Sequence, residues 1–177
     1  MRLSRLAPIF FLLFLVVAGS ASATPLGRTA TQAVAVTAAP AFTPDELAAT
    51  PMENWINNGG ANNNQRYSGL DQINTSNVAN LKEAWHIHLD GSGMAAKYSA
   101  EGTPIVYNGV MYIPTGNSDV FAVDATNGQR IWTHLSGMEQ TINTACCGWD
   151  NRGVSIGDGK IFVSQLDGQL VALDQAT

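Results

Sequence analysis

The stretch NGVMYIPTGNSDVFAVDATNG (108–128) aligns without gaps with DGKIFVSQLDGQLVALDQAT (158–177), at an offset of fifty residues. Gly109 falls on Gly159, Tyr112 on Phe162, Ala122 on Ala172 and Asp124 on Asp174. Each copy reads as an apolar run, an Asn-Gly or Asp-Gly turn, a second run, a polar turn, then alternating Val-Phe-Ala-Val or Leu-Val-Ala-Leu. Repeats of about 40–50 residues, each a small antiparallel sheet, are the signature of a β-propeller. The expected fold is therefore all-β, a propeller of four-stranded antiparallel blades. A propeller ring needs at least four blades. The chain holds one full repeat, most of a second and part of another, and it ends in mid-motif at ALDQAT. It is expected to be the N-terminal part of a longer protein, with the ring incomplete.

Ala122, Asp124, Gly128 and Trp132 are spaced so that Asp124 and Gly128 bracket the turn between two strands. Trp132 then lies on the last strand, where its ring can pack on the next blade. LKEAWHIHL (81–89) carries Trp85 in a similar context and is expected to be the outer strand of a blade whose other strands lie elsewhere. Both tryptophans read as scaffold. The same offset aligns Glu101 with Asn151 and Gly102 with Arg152, each at the lead-in to the first strand of a repeat. That strand is innermost in a propeller, so Glu101 and Arg152 are expected side by side at one mouth, on adjacent blades. A lone Glu–Arg pair is more commonly a structural ion pair than a site, so both readings stand.

Just before Arg152 come the two cysteines of the chain, Cys146 and Cys147, which are adjacent. Neighbouring Cα atoms lie about 3.8 Å apart, whereas a relaxed disulfide wants roughly 4.4–6.8 Å. A bridge between neighbours would be strained and would close no loop that lowers unfolded-state entropy. The alternative is a pair of free buried thiols. Residues 1–23 read as a secretory signal: Arg2 and Arg5, an apolar run from Pro8 to Ala18, and the small residues Ala21-Ser22-Ala23. An uncleaved anchor is the alternative. Export implies an oxidising compartment, in which such a pair can close.

Removing the signal lowers the nine Lys+Arg to seven against fourteen Asp+Glu, a net charge of −7. That argues against nucleic acid or an anionic membrane surface as the main partner. Residues 24–50 are expected as a flexible leader with a short helix. Thr24 to Ala41 is Ala/Thr/Val/Pro-rich. Thr43-Pro44-Asp45-Glu46 is a capping box that opens a helix to about Ala49, stopped by Pro51. The propeller part then occupies 51–177, and 57–69 is turn chemistry throughout.

CCGWDNRGV, EGTPIVYNGVMYIPT, SQLDGQLVALDQAT and NNQRYSGLDQINTSNVANLKEAW together resemble the N-terminal part of pyrroloquinoline quinone (PQQ)-dependent alcohol dehydrogenases. These are the quinoproteins of the methanol and ethanol dehydrogenase group, whose propeller has eight blades. The resemblance runs from about Trp55 to the C-terminus, and adjacent cysteines followed by Asn-Arg-Gly are its specific element. It implies that Cys146 and Cys147 form a vicinal disulfide against one face of PQQ. It also implies that Glu101 and Arg152 contact the cofactor, the arginine meeting its carboxylates. The implied reaction is oxidation of a primary alcohol to an aldehyde, with Ca²⁺ or a lanthanide, and with electrons passed to a cytochrome c. The implied metal ligands and catalytic Asp lie beyond Thr177, so no metal-binding or catalytic residue is assigned in this chain. The implied location is the periplasm, with loose membrane association as a variant. A homodimer or a complex with a small subunit is the implied assembly.

His86 and His88 share a face of an extended segment, which alone is weak support for a metal. There is no Cys-x-x-Cys-His for a c-type haem, and Gly91-Ser92-Gly93 is a turn. Two other functions compete: an exported scaffold propeller that binds proteins without catalysis, and a quinoprotein that oxidises sugars or polyols. The adjacent cysteines favour the alcohol branch.

Overall fold

Asn108-Gly109 and Asp158-Gly159 set the register of the molecule. All four residues have positive φ (46°, 78°, 49° and 68°), which is the requirement of the tight hairpin turn that matches strand twist. The computed structural model describes residues 34–89, 97–99, 101–142 and 148–177. In the first repeat, β1 (Ile105–Tyr107), β2 (Val110–Pro114), β3 (Val120–Asp124) and β4 (Arg130–His134) form one antiparallel sheet in that order. In the second, β5 (Ser155–Gly157), β6 (Lys160–Ser164) and β7 (Leu170–Asp174) form a three-stranded antiparallel sheet.

The fifty-residue offset extends to individual hydrogen bonds. Ala125 N donates to Gly109 O at 2.8 Å and Gln175 N to Gly159 O at 2.9 Å. Thr115 N donates to Asp119 O at 3.0 Å and Gln165 N to Gln169 O at 2.9 Å. Asp124 Oδ1 accepts from Thr126 N, and Asp174 Oδ1 from Ala176 N, both at 2.8 Å. Hydrogen bonds from Thr126, above all, hold the Asp124 carboxyl below its usual range, and Asn127 and the Val34 main chain act in the same direction. One core joins the sheets: Ile105, Val110, Tyr112, Val120 and Ala122 of the first against Val154, Ile156, Ile161 and Val163 of the second. Burial pushes the Tyr112 phenol up to about 12.

The tryptophans fasten successive blades, as their spacing implied. Trp132 on β4 donates through Nε1 to Gln175 O of the second sheet at 3.0 Å. Trp85 makes the equivalent bond one step earlier, to Ala125 O at 3.0 Å. Its ring lies so close to Gly128 that a Cβ there would stand 2.6 Å from a ring carbon. Residues 81–89 nevertheless form no strand among the described residues; ladder partners, rather than sequence pattern, define a strand.

The capping box is present: Thr43 N donates to Glu46 Oε2 at 2.7 Å, and Glu46 N to Thr43 Oγ1 at 3.3 Å. The helix it opens spans Pro44–Ala48. The leader is a different matter, because residues 34–42 are bound to the sheets instead of hanging free. Gly159 N donates to Ala39 O at 2.8 Å and Asp158 N to Pro40 O at 3.0 Å. Gln175, 1% exposed, accepts from Ala39 N at 2.7 Å and donates to Thr37 O at 2.9 Å. Replacing Gln175 by Ala leaves both main-chain groups unpaired, at a cost of about 2 kcal/mol. The expected result is a lower denaturant midpoint and faster amide exchange at Ala39; unchanged exchange there would show that the strap is held otherwise.

Candidate functional site

The inner strands β1 and β5 are reached by two lead-in segments that run alongside each other in parallel. Thr103 pairs with Gly153, and Tyr98 with Trp149. Ser99 N donates to Trp149 O at 2.7 Å, Trp149 N to Lys97 O, and Thr103 N to Arg152 O at 3.0 Å. Arg152 O also accepts from Asn58 Nδ2 at 3.0 Å. The arginine main chain is thus held from two sides while its side chain projects into solvent.

Asn151 explains why that stretch holds its shape. It is 7% exposed, and its side chain makes three hydrogen bonds, both amide hydrogens among them. Its Nδ2 donates to Ser118 Oγ at 3.2 Å and to Ser164 O at 2.9 Å, and its Oδ1 accepts from Gly153 N at 3.1 Å. Buried amides of this kind are anchors, because any loss of partners carries the full desolvation cost. Gly116, in the β2–β3 turn, lets the paired segments sit down on the first blade. A Cβ at that position would stand 2.5 Å from both Ser99 O and Trp149 O.

Glu101 and Arg152 do meet across the two repeats. Arg152 Nη2 lies 3.0 Å from Glu101 Oε2, with the side chains 72% and 51% exposed. Ser99 Oγ contacts the other Glu101 oxygen at 3.4 Å. An ion pair this wet contributes about 0–1 kcal/mol to stability. Stability is therefore a weak reason for the pair, which leaves the guanidinium open to solvent at the lead-ins of the two repeats. Cys146 and Cys147, the other two expected contact residues, lie outside the described residues, as does the expected signal segment 1–23.

Two features were missed in the sequence. The first is Asp150, whose Oδ2 accepts from Arg152 Nε at 3.2 Å and whose side chain is 30% exposed. The signal for it was present: residues i and i+2 of an extended segment face the same side. The second is a cluster at Lys97. Its Nζ lies 4.2 Å from the Trp149 ring centroid and 5.1 Å from that of Tyr98, and it donates to Gln140 O at 3.0 Å. Tyr98 and Trp149 meet edge to face at 5.6 Å, and Tyr98 OH bonds Gln140 Oε1. No local pattern pointed to it, since Gln140 comes from more than forty positions away.

Beside Arg152 opens a cleft of about 480 Å³, lined in part by Asn58, Asp150, Ser155, Ser164 and Gln165. Its lining sets hydrogen-bond donors and acceptors around the paired charges of Arg152 and Asp150, which suits a small polar ligand. Among the described residues no group of three or more His, Cys, Asp or Glu could hold a metal. His86 is bonded to Glu83 at 3.0 Å.

Residues 55–177 match the family described as PQQ, glucose/ethanol/alcohol dehydrogenase, beta-propeller domain. The dehydrogenase subunit of the quinone alcohol dehydrogenase of Gluconacetobacter polyoxogenes is 43% identical over 125 residues, 70% of this chain and 16% of that protein. The 1-butanol dehydrogenase (cytochrome c) of Thauera butanivorans is 40% identical over 124 residues, 70% of this chain and 17% of that protein. The crystal structure of quinohemoprotein alcohol dehydrogenase from Comamonas testosteroni superposes with a TM-score of 0.68 at 38% identity, covering 76% of this chain and 19% of that one. The chain therefore spans about one sixth of the length of the curated relatives it matches.

Proposed function

Since the chain belongs to the PQQ β-propeller family of glucose, ethanol and alcohol dehydrogenases, we propose that it supplies two blades and one wall of the cofactor pocket of an exported quinoprotein alcohol dehydrogenase. The observation that carries this reading is the Glu101–Arg152 pair, 3.0 Å apart at the inner end of adjacent blades and largely exposed. An exposed guanidinium fork fits a flat cofactor that bears three carboxylates.

When bound, PQQ supplies the two-electron acceptor for oxidation of a primary alcohol to an aldehyde. Arg152 would bind a cofactor carboxylate, its stem starting from a main chain held by Thr103 N and Asn58 Nδ2. Glu101 is an unsuitable anion partner on charge alone, so its role is to hold Arg152 Nη2 and orient the fork. In this reading Cys146 and Cys147 form the vicinal disulfide on the cofactor's face. The Ca²⁺ or lanthanide would take its ligands from parts of the larger protein outside this chain. The cytochrome c acceptor and periplasmic location belong to the same proposal; the first draws support from the Thauera relative, a 1-butanol dehydrogenase (cytochrome c).

The test is reconstitution of the full-length protein. Dye-linked oxidation of a primary alcohol should appear when the apo-protein receives PQQ together with Ca²⁺, and stay absent with either alone. A protein that binds no PQQ, or that reduces the dye with sugars but not alcohols, would overturn it.

A further inference from the structure

Arg152 has a carboxylate on two of its three guanidinium nitrogens. Glu101 contacts Nη2 at 3.0 Å from the neighbouring blade, and Asp150 contacts Nε at 3.2 Å from the same extended segment. The two acids differ in setting. Asp150 is the more buried, at 30% exposure against 51% for Glu101, and it stands two residues from Arg152, so little chain freedom separates them. Its main-chain neighbourhood is also fixed: Asn151 is locked by three hydrogen bonds, and Trp149 is paired with Lys97 and Ser99.

From this geometry we infer that Asp150 is a positioning residue for Arg152, one that holds the guanidinium plane so that its terminal nitrogens face an incoming cofactor carboxylate. The inference rests on the proposed role of Arg152 and adds a residue to it. An arginine side chain free in water samples many rotamers, and binding must immobilise it. A carboxylate on Nε removes much of that freedom before the ligand arrives, and it leaves Nη1, with the Nη2 hydrogen that Glu101 does not take, for the cofactor carboxylate.

Asp150 also has an opposing effect, because its negative charge repels the same anion. Arg152 offsets the Asp150 charge from 3.2 Å, and solvent reaches the cluster through the 72%-exposed guanidinium, so the repulsion is partly cancelled, whereas the Nε contact is direct. Positioning therefore dominates, and the sign of the effect on affinity decides between the two. If repulsion dominated, removing the charge would tighten cofactor binding.

The experiment is a double-mutant cycle on the full-length apo-protein, titrated with PQQ and read by tryptophan fluorescence quenching. Asp150→Asn should weaken PQQ binding about tenfold, and Asp150→Glu should restore part of the loss. In an Arg152→Met background, Asp150→Asn should have no further effect. Circular dichroism melts of each apo variant identify any that misfold, and Asp150→Glu serves as the folded comparison. Tighter or unchanged binding by Asp150→Asn, or an equal loss in both backgrounds, would overturn the positioning role. Unchanged binding by Arg152→Met would overturn the reading of Arg152 beneath it.

Discussion

Arg152→Met is expected to lower PQQ affinity of the full-length protein about a hundredfold while leaving its melting temperature nearly unchanged. The size follows from two charge-assisted hydrogen bonds lost to one carboxylate, each worth roughly 1.5 kcal/mol or more. The small effect on stability follows from exposure: the side chain is 72% open to solvent, and its pair with the half-exposed Glu101 is wet. What holds this segment together is instead the main chain, through Thr103 N and Asn58 Nδ2 on Arg152 O. Methionine keeps the stem and removes the donors, so the variant separates the two contributions. Equilibrium titration with PQQ alongside a thermal melt measures both. A large fall in melting temperature with unchanged affinity would mean that Arg152 is a structural residue.

Gly116→Ala should do the opposite, damaging the seat without touching a charged group. The added Cβ would stand 2.5 Å from Ser99 O and from Trp149 O, closer than carbon and oxygen tolerate. Both obstacles are main-chain atoms, and each belongs to a paired segment that cannot give way alone. Either the β2–β3 turn retreats or the Ser99–Trp149 pairing opens. The cost is about 2–3 kcal/mol, typical of forced overpacking, and PQQ binding should fall with it because Glu101 and Arg152 lose their common frame. Gly157→Ala is the control, since its Cβ would meet only Pro40 O, at an ordinary 3.7 Å. Equal tolerance of the two substitutions in denaturant titrations would show that the close approach at Gly116 does not matter.

The strands and turns of the two repeats were legible in the sequence because their causes are local. Asn108-Gly109 and Asp158-Gly159 specify the hairpin turn through positive φ, and the alternation on either side fixes which faces are buried. The juxtaposition of Glu101 and Arg152 was legible too, by a different route. A repeat that places successive sheets in equivalent positions turns a one-residue difference in register into spatial adjacency. The seat for residues 34–42 was not legible, because it depends on Gln175, whose counterpart in the first repeat is Ala125. The contact spans 136 positions and has no pattern at either end. The Lys97 cluster was hidden for the same reason.

By itself the sequence determined the repeat, its strand register and the pair of charged residues at the lead-ins, since hydrogen-bonding turns and period-two alternation act within a few residues. Only the tertiary structure decided how those lead-ins pair, that Asp150 joins Glu101 on Arg152, and that residues 34–42 are strapped across the blades. Those outcomes depend on which buried polar groups find partners far along the chain, and such satisfaction is a property of the packed whole.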